Sequence, residues 1–281
     1  MAHFGQINKV AEKIFVIAAN GVTIVTMPTL WAPTAERPPE FTNQRSIQKV
    51  KNLDGMVAIV TGTAQGIGRA IADDLVEAGA VVHRVDRDTV DLSDAAATES
   101  FFASVGPIDI LVNNAGGVVG QTHTPIDEVT DDAWDAVFDA NLRTTFNCSR
   151  AAARSMKTHG YGRIVTISSG AGRSVSLTGI QAYAAAKSAQ IAFTRQLAHE
   201  LGQFGITVNC VAPGFVLSNP TTEAQWESYG VDGQQAMLAQ IATRKIGSAE
   251  DIARGVRFFV SPEAGWVSGQ TLSIDGGHSL F

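Results

Sequence analysis

Short apolar segments alternate with helical segments from residue 57 onward, and this alternation constrains the fold more than any other feature. Wholly apolar runs of this length are typical of strands buried on both faces, and strands that alternate with helices predict a parallel sheet covered on both sides. The candidate strands are Val57–Thr61, Val81–Val85, Ile108–Asn113, Ile164–Ser168 and Ile206–Val211. Because ligands of such sheets bind outside the carboxyl ends of the strands, the residues that follow each strand are the functional candidates.

Composition and charge exclude several classes of protein. With 45% apolar and 17% charged residues, the chain is too apolar and too weakly charged to be extensively disordered. The formal net charge of −6 argues against a general nucleic-acid binder, which needs clustered positive charge. Two cysteines, Cys148 and Cys210, cannot form a disulfide framework or a four-thiolate zinc site, and the scattered histidines have no ligand spacing. We therefore expect no structural metal.

The first 54 residues form an extension ahead of the alternating pattern. The apolar run Ile14–Met27 is shorter than the roughly 20 residues that a membrane span needs, and Asn20-Gly21 at its centre indicates a hairpin turn. No clear signal-peptide cleavage site follows the run. Prolines then mark residues 28–54 as a linker. We expect a cytoplasmic protein with an arm at 1–54 and one domain at 55–281, the arm packing on the body or on a neighbouring subunit.

A glycine-rich turn follows the first strand of the domain. Gly62, Gly66 and Gly68 have the spacing G-x-x-x-G-x-G. Such a turn lets the backbone approach a pyrophosphate at the start of the helix predicted over Gly66–Ala78, which Gly79 ends. Glycine-rich turns after strands are also common without a ligand, so the spacing alone leaves cofactor binding and an ordinary tight turn open.

An acidic residue follows the second strand. Asp86 lies 24 positions after Gly62, close to the spacing of an acid that binds the adenosine ribose of a dinucleotide. Its carboxylate can accept hydrogen bonds from both ribose hydroxyls and repels a 2′-phosphate, which favours NAD over NADP. Arg84 and Arg87 flank Asp86 and can offset part of that repulsion. The alternative is a solvated acid in a loop.

Tyr183 and Lys187 are four residues apart and share one face of a predicted helix. A phenol is a poor base at neutral pH, but a nearby ammonium favours the phenolate, so the pair can supply acid–base chemistry. The preceding strand brings Ser168 and Ser169 to its carboxyl end, where a hydroxyl can bind a substrate oxygen. Taken separately, the Tyr–Lys pair could lie on the surface and the serines could serve a turn.

The ordered set of motifs resembles the short-chain dehydrogenase/reductase family over residues 53–281. The set comprises the glycine turn, Asp86, Asn113-Asn114-Ala115-Gly116, Asn141, Ser169, Tyr183, Lys187 and Pro213-Gly214. The resemblance implies a single Rossmann-like α/β domain with a doubly wound parallel sheet of about seven strands, the last near Ser273-Ile274-Asp275-Gly276-Gly277. It also implies an NAD(P)-dependent oxidoreductase that transfers a hydride between the nicotinamide and a secondary alcohol or carbonyl, with no metal in the chemistry.

By the same resemblance, four residues would perform the chemistry. Tyr183 would exchange a proton with the substrate oxygen, and Ser169 would orient that oxygen. Lys187 would bind the nicotinamide ribose and lower the pKa of Tyr183. Asn141 would hold a water that relays protons between Lys187 and solvent.

The resemblance also implies the contacts of an NAD cofactor, NADP being the less favoured form. The segment Pro213–Ser218 would meet the nicotinamide amide, and Asp91 with Leu92 would meet the adenine. The implied cofactor-binding residues are Gly62, Gln65, Gly66, Ile67, Gly68, Asp86, Asp91, Leu92, Asn114, Ala115, Gly116, Tyr183, Lys187, Pro213, Gly214, Val216 and Ser218.

The sequence departs from the family pattern in two places. The serine usually lies thirteen residues before the tyrosine, where this chain has Gly170. A one-residue insertion explains the offset, so Ser169 is the assigned serine and Ser168 the reserve. Asp86 and Asp91 are also close together, so the usual helix between the second and third strands is missing. The missing helix makes the adenosine side of the pocket smaller. It also weakens the assignment of Asp91 as an adenine contact.

Three functions fit these motifs. The first is an NAD-dependent dehydrogenase of a small alcohol, polyol or sugar. The second is a reductase of 3-oxoacyl thioesters on a carrier protein or coenzyme A, which would normally use NADPH and a basic docking surface such as Arg150, Arg154 and Lys157. The third, a non-catalytic nucleotide sensor, is disfavoured by the complete Asn–Ser–Tyr–Lys set. We expect a homodimer or homotetramer, with small-molecule substrates and neither nucleic-acid nor membrane partners.

Two aromatic residues lie where this family keeps its substrate lid. Trp226 and Tyr229 follow Pro220 in the sequence. They either line the substrate pocket or pack within the lid, and the sequence favours neither reading.

Overall fold

The computed structural model describes residues 14–18, 21–25 and 52–280. The chain divides into two compact units, Met1–Ile47 and Gln48–Phe281. The linker expected at residues 28–54 lies almost entirely outside the described residues.

The described part of the first unit is a β-hairpin. Strand β1 (Ile14–Ala18) pairs antiparallel with β2 (Gly21–Val25), and Ala18 stands opposite Gly21. The predicted hairpin is confirmed. Its connection, residues 19–20, lies outside the described residues and begins one position before the predicted Asn-Gly turn.

The second unit alternates strands and helices as the apolar pattern predicts. Its strands are β3 (Val57–Thr61), β4 (Val81–Val85), β5 (Ile110–Asn113), β6 (Gly162–Ile167), β7 (Ile206–Pro213), β8 (Val216–Leu217), β9 (Gly247–Ser248) and β10 (Thr271–Ile274). Its helices are α1 (Gly66–Glu77), α2 (Ala95–Val105), α3 (Asp131–Phe138), α4 (Thr144–His159), α5 (Gln181–Leu201), α6 (Pro220–Ser228), α7 (Gly230–Gln240) and α8 (Ala249–Val260). None of the described helices is long and apolar enough to cross a membrane.

A parallel sheet forms the centre of this unit, with strand order β10-β7-β6-β5-β3-β4. Its register places Val60 beside Val112 and Val165 beside Asn209. Strands β8 and β9 form a separate short parallel pair. The order reverses direction between β3 and β5, which is the topological switch point where open α/β sheets bind ligands. The chain therefore has the doubly wound, Rossmann-like fold that the sequence predicts.

Helices cover both faces of the sheet because successive strand side chains point to opposite sides. Helices α1 and α8 pack on one face, over Val60, Val112, Val165 and Val211. Helices α2, α4 and α5 pack on the other face, over Ile59, Leu111, Ile164 and Val208. Each such fully buried aliphatic side chain contributes about 1.5–3 kcal/mol to folding.

The described residues form six strands in this sheet, whereas the family resemblance implies about seven. Strand β4 ends at Val85, and residues 86–90 form a turn in which the N–H groups of Thr89 and Val90 donate to the Asp86 carbonyl. A further strand on the outer side of β4 would need a crossover of a dozen or more residues before α2 begins at Ala95. The segment between β4 and α2 is too short for such a crossover and a strand. Strand β4 is consequently the edge of the described sheet, and Val81 on it is 54% exposed.

Leu53 lies ahead of the predicted domain boundary at residue 55 and packs in the core of the second unit. Leu53 is fully buried in the core that α1 and α8 share, and its N–H donates to the Ala78 carbonyl at 3.1 Å. Leu53 therefore belongs with the folded body rather than with an arm.

Candidate active site

The glycine turn brings the end of β3 against the end of β5. Gly62 has φ +70° and Gly66 has φ +61°, a backbone region that glycine enters without strain. A Cβ atom at Gly68 would lie 2.0 Å from the carbonyl oxygen of Gly62. The turn can therefore close only with glycine at position 68.

Thr61 and Asn114 hold the turn in place. The Thr61 hydroxyl accepts hydrogen bonds from the N–H groups of Asn114 and Ala115, each at 3.0 Å. The Asn114 side-chain amide donates to the carbonyls of Thr61 and Gly62, also at 3.0 Å. Asn114 thus braces the turn with its side chain. Sequence reasoning missed Thr61, although a threonine ending an otherwise aliphatic strand was a usable signal.

The start of α1 fits a pyrophosphate group. No side chain caps the helix at Gln65, and its first turn contains no acidic residue. The first-turn N–H groups and the positive end of the helix dipole are therefore available to an anion. Ile67 packs against the core, and a Cβ atom at Gly66 would lie 3.1 Å from the Ser218 carbonyl oxygen. The segment predicted to meet the nicotinamide thus lies directly across from the turn.

Asp86 lies at the rim of the same turn. Its Oδ2 accepts a hydrogen bond from the Ala64 N–H at 2.7 Å, and its Oδ1 accepts one from the Arg87 N–H at 2.8 Å. These contacts hold the carboxylate beside the glycine turn. Arg84 forms an ion pair with Asp73 at 2.6 Å, so its guanidinium is engaged elsewhere.

Asp91 and Leu92 have structural partners of their own. The Asp91 Oδ1 accepts hydrogen bonds from the N–H and hydroxyl of Ser93, and these lower the pKa of Asp91. The Leu92 side chain is buried, and its carbonyl accepts from Thr98 and Asn147. An adenine contact by Asp91 or Leu92 stays a prediction.

Tyr183 and Ser169 are brought together, although fourteen positions separate them. The Ser169 side chain faces the Tyr183 hydroxyl closely enough to lower the pKa of Tyr183. Ser168 is oriented differently, because its hydroxyl donates to the Lys187 carbonyl at 2.8 Å and the residue is buried. This geometry favours Ser169 over Ser168 as the serine that meets a substrate oxygen.

Lys187 is buried beneath Tyr183. Its Nζ donates to the Ile167 carbonyl at 2.9 Å and lies 5.7 Å from the centroid of the Tyr183 ring. Burial raises the pKa of Tyr183 above its ordinary value of 10, and this exceeds the opposing effect of the Ser169 side chain. The lowering of the Tyr183 pKa by Lys187 stays a prediction.

Asn141 lies in a π-helical turn, Asp139–Arg143, that joins α3 to α4. Its side-chain oxygen accepts from the Gly117 N–H at 3.0 Å, and its amide donates to the carbonyls of Gly117 and Val137 at 2.8 Å. A Cβ atom at Gly116 would lie 2.4 Å from that oxygen. The asparagine side chain thus holds the Gly116–Gly117 segment, and its main-chain carbonyl is left for other donors.

The Pro213–Ser218 segment continues from the carboxyl end of β7. The Gly214 N–H donates to the Ile274 carbonyl at 3.0 Å, and Val216 is buried in the short strand β8. The Ser218 N–H donates to the Thr222 hydroxyl at the start of α6. These contacts place the segment between the glycine turn and the last strand.

Three aromatic rings pack together after β7. The ring centroids of Phe215 and Trp226, and of Phe215 and Tyr229, are 6.0 Å apart, and those of Trp226 and Tyr229 are 6.4 Å apart. This cluster explains the internal packing of α6 and does not by itself make the rings part of a pocket.

The basic stripe on α4 is engaged within the protein. Arg154 pairs with Glu99, Lys157 lies 3.5 Å from Glu200, and Arg150 lies over the Phe146 ring at 4.8 Å. Arg154 and Lys157 are therefore partly neutralised, which weakens the case for a docking surface for an acidic carrier.

The two cysteines are buried thiols. Burial raises the pKa of Cys148 to about 12 and that of Cys210 to about 11, so neither is a thiolate near neutral pH. No three His, Cys, Asp or Glu side chains of the described ranges come together as a metal site.

Replacing Lys187 by Met is expected to stabilise the fold near neutral pH. Burial lowers the pKa of Lys187 from 10.5 to about 8, a shift that corresponds to about 3 kcal/mol of destabilisation by the buried ammonium. Allowing for the lost hydrogen bond to Ile167, the free energy of unfolding at pH 7 should rise by about 1–3 kcal/mol. Denaturant unfolding of both proteins across pH measures the difference.

The pH dependence of that difference has a definite sign. Between pH 8 and 10.5 the unfolded chain keeps a proton that the folded chain has lost, so wild-type stability due to Lys187 rises with pH. The advantage of Lys187→Met should therefore be full below pH 8 and should disappear above pH 10.5. A variant that is less stable at pH 7, with a difference independent of pH, would contradict this account.

Comparison with known proteins assigns the family. The family model described as short chain dehydrogenase matches residues 56–99, and the model described as Enoyl-(Acyl carrier protein) reductase matches residues 89–279. The 3-oxoacyl-[acyl-carrier-protein] reductase of Escherichia coli (strain K12) is 35% identical over 248 residues, covering 80% of this chain and 98% of that protein. The chain belongs to the short-chain dehydrogenase/reductase family.

Solved structures agree with this assignment. A protein of Agrobacterium tumefaciens with bound NADP, provisionally assigned as a 2-deoxy-d-gluconate 3-dehydrogenase, is 32% identical with a TM-score of 0.73, covering 81% of this chain and 98% of that chain. A 3-oxoacyl-[acyl-carrier protein] reductase from Brucella melitensis with bound NAD is 31% identical with a TM-score of 0.73, covering 88% and 97%. The chain is accordingly an oxidoreductase that acts on alcohol or carbonyl groups with NAD or NADP.

Proposed function

We propose that this protein is an NAD-dependent dehydrogenase of a small secondary alcohol, polyol or sugar. The observation that supports it most is the Asp86 carboxylate, held at the rim of the glycine turn by the Ala64 and Arg87 N–H groups. A fixed negative charge at this point accepts hydrogen bonds from ribose hydroxyls and opposes a 2′-phosphate. The preference for NAD in turn favours oxidation of the alcohol.

The cofactor would be held by the glycine turn and its neighbours. The N–H groups at the start of α1 would bind the pyrophosphate, and Asp86 would bind the adenosine ribose. Pro213, Gly214, Val216 and Ser218 would border the nicotinamide. When bound, the cofactor supplies a hydride acceptor at nicotinamide C4.

The chemistry of the chain itself is proton transfer at the substrate oxygen. Ser169 would donate a hydrogen bond to that oxygen, and Tyr183 would take the hydroxyl proton during oxidation. Lys187, buried below the tyrosine, would bind the ribose and pass the proton on. Asn141 would hold the water that carries this proton to solvent.

A second candidate is reduction of a 3-oxoacyl thioester. The Escherichia coli and Brucella melitensis relatives are both named as reductases of this kind. The internal pairing of Arg154 and Lys157 and the acid at position 86 weigh against a carrier-docking, NADPH-using enzyme. The dehydrogenase is therefore the first choice.

One experiment separates the two candidates. Purified protein is assayed with NAD⁺ and NADP⁺ on sugars, polyols, hydroxy acids and cyclic alcohols, and with NADH and NADPH on 3-oxoacyl thioesters. We expect the highest kcat/KM for an alcohol with NAD⁺. A higher kcat/KM for a thioester with NADPH would contradict the proposal in favour of the second candidate. Cofactor binding without turnover in any arm would indicate a nucleotide sensor.

We further propose a cytoplasmic homodimer or homotetramer. Phe146 on α4 is 41% exposed and lies 6.3 Å, ring to ring, from Phe193 on α5. An exposed apolar patch on two long helices suits burial against a second copy. The solution mass measures the oligomeric state directly.

A further inference from the structure

A buried glutamine on the helix of Tyr183 and Lys187 has no part in the chemistry proposed above. Gln190 is 0% exposed and lies three residues after Lys187, on the next turn of α5. Its Nε2 donates to the main-chain carbonyl of Asn141 at 3.1 Å and to the Thr145 hydroxyl at 2.8 Å. Because a carbonyl can only accept, the amide nitrogen of Gln190 must face Asn141.

The Asn141 carbonyl receives several side-chain donors. The Thr145 hydroxyl donates to it at 2.7 Å, and the Thr144 hydroxyl, which donates to the Ala140 carbonyl at 2.8 Å, lies 3.1 Å from it. Both threonines belong to α4, which continues directly from the π turn. Gln190, by contrast, donates to this carbonyl from α5. It therefore joins the π turn to α5.

The other end of the Gln190 amide is unsatisfied. Its Oε1 is buried and has no hydrogen-bond partner within the described part of the chain. An unpaired buried acceptor destabilises a fold, and an apolar side chain of similar size avoids that cost. The stability of the core therefore does not explain a glutamine at position 190. The hydrogen bond from Gln190 to the Asn141 carbonyl does explain it.

We propose that Gln190 is a positioning residue for proton transfer. The inference rests on the proposed function, in which Asn141 and Lys187 are the two ends of a proton relay. Gln190 holds the Asn141 carbonyl from the same helix that presents Tyr183 and Lys187. It thereby fixes the separation of the two ends, and it acts through Asn141.

Replacing Gln190 by Met tests this role. Methionine removes both donors and the unpaired oxygen at similar volume, and the Asn141 carbonyl keeps its threonine donors. We expect kcat on the best substrate of the panel to fall by about tenfold to a hundredfold, as for a displaced catalytic group. KM for NAD⁺ should stay within about twofold, because the binding of the cofactor is not altered. The solvent deuterium isotope effect on kcat should increase, and Tm should not fall.

Asn209→Leu is the matched control. Asn209 is also a fully buried amide with two hydrogen bonds, donating to the Val267 carbonyl at 2.8 Å and accepting from the Gln270 N–H at 3.1 Å. Its loss should lower Tm and leave kcat and the isotope effect at wild-type values. Gln190→Met with wild-type kcat and isotope effect would overturn the proposal.

A second variant, Thr145→Val, tests the same contact in case Gln190→Met does not fold. Thr145→Val removes one donor from the Asn141 carbonyl and one acceptor from Gln190, so it should lower kcat less and still raise the isotope effect. Wild-type values in Thr145→Val would overturn the proposal. If the wild-type protein is active and Tyr183→Phe is not, the proposed function is supported independently of the results with Gln190→Met and Thr145→Val. Absence of turnover in wild type with every substrate would contradict both.

Discussion

Replacing Tyr183 by Phe is expected to lower kcat on the best substrate by about a thousandfold, because proton transfer by a positioned side chain contributes about 10²–10⁴. The substitution removes one hydroxyl, which faces Ser169, and leaves the ring in place. KM for NAD⁺ should change little, since the glycine turn and Asp86 are untouched. Steady-state kinetics, with Tm as a check of folding, measures the effect.

Tyr161→Phe is the control for that substitution. The Tyr161 hydroxyl contacts the Met56 sulfur near the start of β6, at the opposite end of the strand from Ser169. Its loss should leave kcat unchanged. Because burial raises the pKa of Tyr183, oxidation by wild type should speed up with increasing pH in the alkaline range. A Tyr183→Phe protein that keeps wild-type kcat would remove this residue from the mechanism.

Replacing Asp86 by Asn is expected to shift the preference for NAD⁺ over NADP⁺ by about tenfold to a hundredfold toward NADP⁺, which corresponds to about 1.4–2.8 kcal/mol. Asparagine keeps an oxygen that can accept from the Ala64 N–H, so the turn is retained while the charge is lost. The variant no longer repels a 2′-phosphate, and Arg87 beside it can then attract one. The ratio of kcat/KM for the two cofactors measures the shift.

Asp88→Asn provides the matched charge change. Asp88 is an exposed acid in the same connection after β4. Asp88→Asn changes the net charge by the same amount as Asp86→Asn. If the role of Asp86 is specific, the ratio of kcat/KM for the two cofactors in Asp88→Asn should stay at the wild-type value. Equal shifts in Asp86→Asn and Asp88→Asn would show only a general electrostatic effect. A wild-type preference for NADP⁺ would contradict the assignment of Asp86 outright.

Local sequence signals predict the fold well where one physical requirement dominates. The apolar run Val57–Thr61 coincides with β3, because a strand covered on both faces has to be apolar throughout. Gly68 is required by a 2.0 Å approach of backbone, and glycine alone meets that requirement. The short connection after Asp86 indicated the missing helix, and it also explains why the described residues form six strands in this sheet rather than about seven.

Long-range contacts were not readable from local patterns. The sequence shows Asn141 only by resemblance, since nothing local predicts the π turn that aims its carbonyl toward α5. The choice between Ser168 and Ser169 depended on which hydroxyl faces Tyr183 and which faces the Lys187 carbonyl. The burial that raises the pKa of Tyr183 was not readable from the sequence either, because burial is a property of the assembled core.

Helix α5 contains two buried polar side chains that cost stability and that we propose act in proton transfer. Lys187 is a buried ammonium, and Gln190 on the next turn keeps an unpaired buried oxygen. Both are expected to be replaceable by Met without loss of stability and with loss of turnover. Polar groups that the core does not need are expected where chemistry needs them.

Direct hydride transfer can be tested by following a deuterium atom from the alcohol to the cofactor. The best alcohol of the panel, deuterated at the carbinol carbon, is oxidised with NAD⁺, and the NADH formed is analysed by mass spectrometry. The NADH formed by wild type should carry one deuterium atom, and Tyr183→Phe should give no comparable product in the same time. Unlabelled NADH from the wild-type protein would contradict direct hydride transfer.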